Sequence, residues 1–175
     1  VCRRQRQMCI RDSYKIKNIS KENFKNYGDL ITTSNKNYES INKDTTDSFF
    51  DLANIQIIGD DKRSRLNIFQ AKKRNFPLKI NMLENHPFSS QVFLPFNATG
   101  FLVLVAPIGD KPKIDLIEIF KVSGGDGINF NPKVWHFPLI SLENEKYITI
   151  DKKDADNNIE IYNFEQSEIF ELNYE

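Results

Sequence analysis

The stretch FLVLVAPIGDKPKIDLIEIFKVSGGDGINFN, residues 101–131, decides the fold class. It contains three strand-like runs, namely FLVLVAP (101–107), DLIEIFKV (115–122) and GINFN (127–131). Turn-forming residues separate these runs at 108–112 and 123–127. Short runs rich in Val, Ile, Leu and Phe, with turns at regular spacing, predict a β-sandwich or barrel.

The same pattern continues on both sides of this stretch. Further strand-like runs are IQII (55–58), RLNIFQA (65–71), LKINMLE (78–84), QVFLPF (91–96), YITID (147–151) and IEIYNF (159–164). The tail NFEQSEIFELNY (163–174) fits either a last strand or a short helix. One helix is predicted near the start, in SKENFKNYG (20–28), where Ser20 is a favourable N-cap and Gly28 ends the element. The sequence therefore predicts an all-β protein with a short N-terminal helix.

The beginning of the chain differs in composition from the rest. VCRRQRQMCIRD (1–12) contains both cysteines and four of the seven arginines, whereas lysine outnumbers arginine 17 to 3 from Tyr14 onward. We interpret residues 1–13 as an artefactual or disordered leader, because the string resembles translated sequencing-adapter DNA; a basic arm is the alternative. Residues 14–175 then form a single domain, and their lack of cysteine fits the cytoplasm.

Charge and hydropathy exclude some classes of partner. Without the first 13 residues the chain has 20 basic and 23 acidic side chains, which gives no electrostatic reason to expect nucleic acid. No apolar run approaches the roughly 18 residues of a membrane span. The polar stretch 32–48 is either a lid or disordered. The expected partner is therefore a small molecule.

Covalent catalysis has little support in the sequence. Residues 14–175 contain no cysteine and no G-x-S-x-G motif. SGGDG (123–127) is glycine-rich but lacks the lysine of a phosphate loop, so a tight hairpin turn is the better interpretation.

Catalysis by proton transfer has more support than covalent catalysis, because each of the two histidines lies in a segment that could line a binding pocket. In LENHPFSSQVFLPF (83–96), Glu84 and His86 are two residues apart and face the same side of an extended chain. The second histidine, His136, lies in NPKVWHFPL (131–139). The structural alternatives are a capped turn for His86, a solvated strand-end charge for Glu84 and buried scaffold for His136.

Both segments are similar to the two motifs of cupins. The spacing from Pro132 to His136 is that of the end of the second motif, and segment 83–96 occupies the place of the first. Gln91 stands where a metal-binding glutamate is often found. The resemblance implies a cupin-type double-stranded β-helix barrel whose interior both histidines face.

Six segments, in order and over most of the domain, resemble the ureidoglycolate lyase family of cupins. They are FKNYGDLI (24–31), FFDLA (49–53), ENHPFSSQVFLP (84–95), FLVLVAPIGDKPKIDLI (101–117), GINFNPKVWHFPL (127–139) and YITIDKKDADN (147–157). The resemblance implies cleavage of ureidoglycolate to glyoxylate and urea in allantoin and purine catabolism. It also implies a homodimer and an associated divalent metal such as nickel.

The resemblance also suggests roles for individual residues. His136 is the expected acid–base catalyst, because an unperturbed imidazole titrates near neutral pH, with Glu84 or His86 as the second proton carrier. His86 and His136 are the expected metal ligands, although the usual cupin set has three histidines and a glutamate. The expected substrate-binding residues are Gln91, Phe93, Asn129, Trp135 and Gln70. For Trp135 and its neighbour Phe137, core packing is the alternative.

Several polar positions of the family are altered in this chain. Gln70 stands at a family arginine. The other altered positions are Asp44, Ser48, Phe50, Phe130, Pro132 and Phe137. Replacement charge has to come from elsewhere, and the candidates are Lys72, Lys73, Arg74 and Lys133.

Two other functions compete with the lyase. One is a cupin enzyme acting on another small carboxylic acid, which predicts converging histidines in a pocket walled by Phe50, Phe130 and Phe137. The other is a binding module without catalysis, which predicts polar side chains tied to backbone in a filled barrel. The lyase predicts a cation directed towards the cavity of His136.

Overall fold

The computed structural model describes residues 14–153 and 157–174. The predicted leader lies outside the described residues, so the division at residue 13 stays a prediction. None of the helices among the described residues is long and apolar enough to cross a membrane.

The described chain is almost entirely β-structure. In chain order the strands are β1 Ile16–Asn18, β2 Gly28–Ile31, β3 Glu39–Ile41, β4 Thr46–Ser48, β5 Ser64–Ala71, β6 Leu78–Ile80, β7 Met82–Asn85, β8 Gln91–Pro95, β9 Phe101–Ala106, β10 Glu118–Val122, β11 Gly127–Phe130, β12 Trp135–His136, β13 Ile140–Ser141, β14 Glu145–Lys152, β15 Glu160–Asn163 and β16 Phe170–Leu172. A 3-10 helix covers Ile114–Leu116. The tail forms strand β16 rather than a helix.

The predicted N-terminal helix is present as α1, Lys21–Phe24. The Ser20 side chain accepts a hydrogen bond from the Asn23 backbone, and the Asn23 side chain accepts one from the Ser20 backbone. This reciprocal capping satisfies donors that the first turn would leave free. Phe24 buries its ring completely and anchors the helix to the core.

Two large sheets pack against each other. The seven-stranded sheet has the order β1-β10-β9-β12-β7-β15, with β13 paired to β9, and the five-stranded sheet has the order β2-β11-β8-β14-β5. The inner core between them includes Phe93, Val103, Phe120, Ile128 and Tyr147. This arrangement confirms the prediction of an all-β, cupin-like fold.

A second core covers the outer face of the seven-stranded sheet. It includes Leu83, Leu104, Trp135, Phe137 and Phe170. Strand β9 therefore lies between two cores and is buried along its whole length. This double burial explains why FLVLVA is a continuous apolar run rather than an alternating one.

Three sequence predictions need correction. IQII (55–58) is not a strand, because only one isolated bridge, Ile57 with Ser89, pairs it to the rest of the chain. LKINMLE is two strands that break at Asn81, since β6 pairs with β16 whereas β7 pairs with β12 and β15. The stretch 32–48 is not disordered: it contains the hairpin of β3 and β4. Whether this hairpin acts as a lid stays a prediction.

Candidate active site

Glu84, His86 and His136 converge at neighbouring strands. His136 on β12 is the register partner of Glu84 on β7, and His136 Nε2 lies 3.8 Å from Glu84 Oε1. His86 follows β7 directly, and its ring centroid lies 5.3 Å from that of His136. One ligand atom from each of the three residues lies within 4.8 Å of the others. The two-residue spacing of Glu84 and His86 thus places both side chains on the side that His136 occupies.

Backbone carbonyls fix the orientation of both imidazole rings. His136 Nδ1 lies 2.9 Å from the carbonyl oxygen of Val134, and His86 Nδ1 lies 2.6 Å from that of Asn158. Because a carbonyl only accepts, each Nδ1 carries a hydrogen, and in the neutral form of the ring the lone pair is on Nε2. Both Nε2 atoms are buried and have no hydrogen-bond partner among the described residues. The histidines therefore present two acceptors to the same space.

Asn158 holds the carbonyl that orients His86. Its side-chain Oδ1 accepts from the Phe88 backbone at 2.7 Å, and its Nδ2 donates to Ser89 Oγ at 2.8 Å. Asn158 itself is buried. The sequence did not indicate Asn158, because its contact with His86 joins positions 72 residues apart and no local sequence pattern predicts it.

The environment separates the proton affinities of Glu84 and His136. Burial, together with the nearby His86, lowers the pKa of His136 to about 3, and the hydrogen bond to Val134 opposes this shift only in part. Burial raises the pKa of Glu84, although His86 has the opposite effect. His136 is therefore neutral near pH 7, and its contact with Glu84 is not an ion pair. The expectation of an unperturbed imidazole does not hold for His136.

A cavity of about 640 Å³ opens beside Glu84. Its lining comprises Ile68, Phe69, Gln70, Ala71, Lys72, Lys73, Arg74, Glu84, Gln91, Phe93, Pro138 and Leu139. Gln91 is 5% exposed, and its buried Oε1 has no hydrogen-bond partner among the described residues. Gln91 pairs in register with Phe130, whose ring stacks on His136 with centroids 4.2 Å apart. The predicted Gln91 and Phe93 therefore belong to the cavity.

Two predicted substrate-binding residues lie elsewhere. The Trp135 indole belongs to the outer core, where its Nε1 donates to the Gly109 carbonyl at 2.9 Å. Asn129 alternates with the inward Phe130, and its Nδ2 donates to Asp29 and to the Asn54 carbonyl, both at 3.0 Å. The Trp135 Nε1 and Asn129 Nδ2 donors are thus used in scaffold contacts, whereas Asn129 Oδ1 is buried without a partner among the described residues.

The positions of Gln70 and of two of the three phenylalanines differ from those that the sequence predicted. Gln70 is exposed and lies at the rim of the cavity. Phe50 is 57% exposed and Phe137 belongs to the outer core. Of the three phenylalanines expected to wall the pocket, Phe130 alone contacts a histidine of the site.

Cations line the cavity next to Gln70. They are Lys72, Lys73 and Arg74, the first residues after β5. Lys133, the fourth candidate for replacement charge, is exposed and is not among the lining residues. The KKR run was visible in the sequence, but its position at the cavity depends on where β5 ends.

The donor set of the three converging residues fits a divalent cation. Two imidazoles offer their Nε2 atoms, and Glu84 supplies a carboxylate oxygen. The carbonyl partners of both Nδ1 atoms are the outer contacts that metal-binding histidines usually have. Glu84, His86 and His136 therefore form a possible metal-binding triad.

Comparison with known proteins places the chain in a family. Residues 11–171 match the sequence model of the family described as ureidoglycolate lyase. The chain is 36% identical over 155 residues to the ureidoglycolate lyase of Pseudomonas aeruginosa (strain LESB58), covering 88% of this chain and 92% of that protein. It is 33% identical over 159 residues to the ureidoglycolate lyase of Pseudomonas putida (strain GB-1), covering 90% of this chain and 95% of that protein. The chain belongs to the ureidoglycolate lyase family.

Proposed function

We propose that this protein is a ureidoglycolate lyase, which cleaves ureidoglycolate to glyoxylate and urea. The observation that carries the proposal is the convergence of Glu84, His86 and His136 with both imidazole Nε2 atoms buried and unpaired among the described residues. The name shared by the relatives supports the same substrate. Buried polar atoms without partners are costly, so their retention at one point favours a bound ligand.

The reaction requires two proton movements. Ureidoglycolate is a carbinolamide, so one proton leaves its hydroxyl group and another reaches the departing nitrogen. His136 Nε2 accepts the hydroxyl proton while the oxygen forms the C=O bond of glyoxylate and the C–N bond breaks. The carboxyl group of Glu84 gives its proton to the urea nitrogen.

The opposed pKa shifts set the resting protonation states that these roles require, although a lowered pKa also makes His136 a weaker base. The raised pKa of Glu84 favours a protonated acid, and the lowered pKa of His136 favours a free lone pair. After cleavage the proton on His136 passes to Glu84, whose nearest oxygen is 3.8 Å away. Both residues then return to their starting state.

Gln91 and the neighbouring rings position the substrate. Gln91 Oε1 can accept from the ureido N–H groups, because it is buried and otherwise unpaired among the described residues. Phe93 and Phe130 supply apolar walls beside His136. His86, fixed through Asn158, offers a second acceptor to the same substrate.

A cation is the alternative use of the same residues. Glu84, His86 and His136 would hold a divalent ion such as nickel, and the bound ion would polarise a substrate oxygen as a Lewis acid. We expect calorimetric titration of chelator-treated protein with Ni²⁺ to give binding that His86→Ala abolishes. Turnover that persists after chelator treatment supports acid–base cleavage by the side chains. Turnover that returns only with Ni²⁺ would assign the reaction to the cation.

The competing functions have less support. A repurposed pocket walled by three phenylalanines does not fit the exposed Phe50 and the core position of Phe137. A filled scaffold does not fit a cavity of about 640 Å³ that is lined by Glu84, whose Oε1 lies 3.8 Å from His136 Nε2.

The direct test is an assay with racemic ureidoglycolate. Glyoxylate and urea are followed for the wild type and His136→Ala, with and without added nickel. We expect turnover well above the spontaneous rate in the wild type and its loss in the variant. A folded wild type with no turnover under either condition would contradict the proposed substrate.

A homodimer is supported by an aliphatic sheet face, defined as Leu66 and Ile68 on β5 with Ile148 and Ile150 on β14. Leu66 and Ile68 are 65% and 58% exposed, and each pairs in register with one of the two isoleucines. β5 is also an edge strand, so a second copy would cover an apolar face and an open edge together.

The biological setting of the reaction stays a prediction. A place in allantoin and purine degradation comes from the family resemblance alone. Location in the cytoplasm depends on the lack of cysteine after residue 13.

A further inference from the structure

Three consecutive basic residues reach the cavity in different ways. Lys72 and Lys73 are exposed, and Lys73 Nζ pairs with Glu143 at 3.0 Å. Arg74 is half-buried and lines the same cavity as Glu84. Arg74 is therefore the most enclosed of the three cations.

The backbone around Arg74 is fixed, whereas its side chain is uncommitted. The Arg74 N–H donates to the Ser141 carbonyl at 2.9 Å, and the Lys73 N–H donates to Asn144 Oδ1 at 3.0 Å. Within residues 14–153 and 157–174, the Arg74 guanidinium makes no hydrogen bond and no ion pair. A guanidinium has five N–H donors. Those of Arg74 are not among the buried side-chain atoms that lack a partner, so they remain accessible to an acceptor that a ligand brings into the cavity.

We propose that Arg74 binds the carboxylate of the substrate, an inference that rests on the proposed function. A guanidinium matches a carboxylate with two parallel hydrogen bonds, which a lysine ammonium cannot reproduce. Glu84 is the one acidic residue among those lining the cavity, and Lys72 and Lys73 add positive charge at the rim. The field in the cavity therefore favours a small anion.

This assignment divides the cavity into two regions. The carboxylate lies at Arg74, and the carbon–nitrogen bond that breaks lies at Glu84 and His136. Arg74 then acts as a binding residue and does not move a proton. It also supplies the positive charge that Gln70, which is neutral, does not provide.

The test compares Arg74→Gln and Arg74→Lys with the matched rim variant Lys72→Gln. We expect Arg74→Gln to raise KM about 10- to 100-fold with little change in kcat, because it removes charge-assisted hydrogen bonds made equally in the ground and transition states. Arg74→Lys restores part of the affinity because it keeps the charge. Lys72→Gln raises KM less than about threefold, because the charge of Lys72 at the rim is exposed to solvent and therefore adds only weakly to the attraction of an anion.

A binding measurement separates this inference from the proposed function. Calorimetry with oxamate, a small carboxylate, and its uncharged methyl ester is done on the wild type and Arg74→Gln, and the thermal midpoint of each variant is measured to verify folding. We expect Arg74→Gln to weaken the affinity for oxamate at least about tenfold, whereas the affinity for the uncharged ester does not change with the substitution.

The outcomes are distinguishable. Turnover by the wild type with equal KM for Arg74→Gln and Lys72→Gln would overturn the role of Arg74 and leave the function intact. Oxamate binding that depends on Arg74, without any turnover of ureidoglycolate, would support the carboxylate site and overturn the substrate. Neither turnover nor oxamate binding would overturn both.

Discussion

Glu84 and Glu145 are two enclosed glutamates in opposite states. Glu145 Oε1 accepts from Asn97 at 2.9 Å and from the Lys146 backbone at 2.7 Å, and Oε2 accepts from Thr99. Glu84 is 17% exposed and makes no hydrogen bond through its side chain to a residue that the structure describes. The fold thus satisfies one carboxylate and leaves the other available.

The pKa values follow this difference. Burial raises the pKa of Glu84, and the nearby His86 opposes this shift only in part. Burial alone would also raise the pKa of Glu145, but hydrogen bonds from Thr99, Lys146 and Asn97 outweigh it and lower the pKa. Glu145 therefore contributes to stability, whereas Glu84 is kept in a state suited to chemistry.

The largest expected effect is on turnover at the Glu84 region. We expect His136→Gln to lower kcat for ureidoglycolate by about 10²- to 10⁴-fold, because it removes the proton acceptor. Glyoxylate formation measures the rate, and circular dichroism verifies that the variant folds. A rate within a few fold of the wild type would exclude His136 as the base.

At the Glu145 region the effect is on stability instead. Glu145→Gln leaves Thr99 and Asn97 with a neutral partner, and we expect it to lower the free energy of unfolding by about 1–2 kcal/mol. Turnover per folded molecule stays at the wild-type value. Urea denaturation and the glyoxylate assay on the same sample measure both quantities. A stable but inactive variant would remove the contrast between the two glutamates.

The pH dependence of stability has opposite signs at the two glutamates. The lowered pKa of Glu145 gives stability that is present above its unfolded pKa, about 4.3, and is lost as pH falls through the folded value. The raised pKa of Glu84 gives stability that is present below about 4.3 and is lost as pH rises through the folded value.

Thermal unfolding of metal-free protein between acidic and neutral pH measures these signs. Relative to the wild type, Glu145→Gln is less stable at neutral pH and approaches it on acidification. Glu84→Gln becomes relatively more stable as pH rises. If the stabilities of both variants relative to the wild type changed in the same direction with pH, the opposite pKa shifts assigned to the two glutamates would be contradicted.

A smaller effect is expected from the support of His86. Asn158→Ala removes the side-chain bonds to Phe88 and Ser89 that hold the carbonyl oriented towards His86. We expect kcat to fall about tenfold, the lower end of the effect of losing such an outer contact. The ¹⁵N spectrum of His86 should show a mixture of tautomers in the variant and protonated Nδ1 in the wild type. If activity fell while the tautomer of His86 stayed unchanged, Asn158 would not act through the orientation of His86.

The smallest effect on activity is expected on the aliphatic sheet face. Leu66→Asp places a charge opposite Ile150 on the outer side of the five-stranded sheet. We expect a dimer for the wild type and a monomer for the variant in sedimentation. Turnover should stay within about twofold, because Leu66, unlike Ile68 of the same face, is not among the residues that line the cavity. A wild-type monomer would remove the dimer proposal.

Sequence patterns were sufficient for much of the fold and for the common side of Glu84 and His86 in the candidate site. Alternating and continuous apolar runs predicted nine segments of β-structure. The prediction of a strand at IQII (55–58) was wrong, because a strand needs a pairing partner that local composition does not specify. The two-residue spacing of Glu84 and His86 predicted their common side, since side chains alternate along a strand.

The remaining features depend on long-range packing. The lowered pKa of His136 arises mainly from its burial, where it stacks on Phe130 of the inner core, and its neighbours in sequence do not reveal this contact. Trp135 and Phe137 flank the same histidine yet face the outer core, because β12 presents alternate residues to opposite sides of its sheet. The uncommitted side chain of Arg74 is visible only once the strands enclose the cavity.

The most direct measurement is the initial rate of glyoxylate formation from ureidoglycolate by three proteins in one assay: the wild type, Glu84→Gln and Glu145→Gln. The predicted result is turnover by the wild type and by Glu145→Gln, with a loss of at least about 100-fold in Glu84→Gln, as expected for removal of a general acid. Equal rates for all three proteins would contradict the claim that the unsatisfied glutamate, rather than the satisfied one, carries the chemistry.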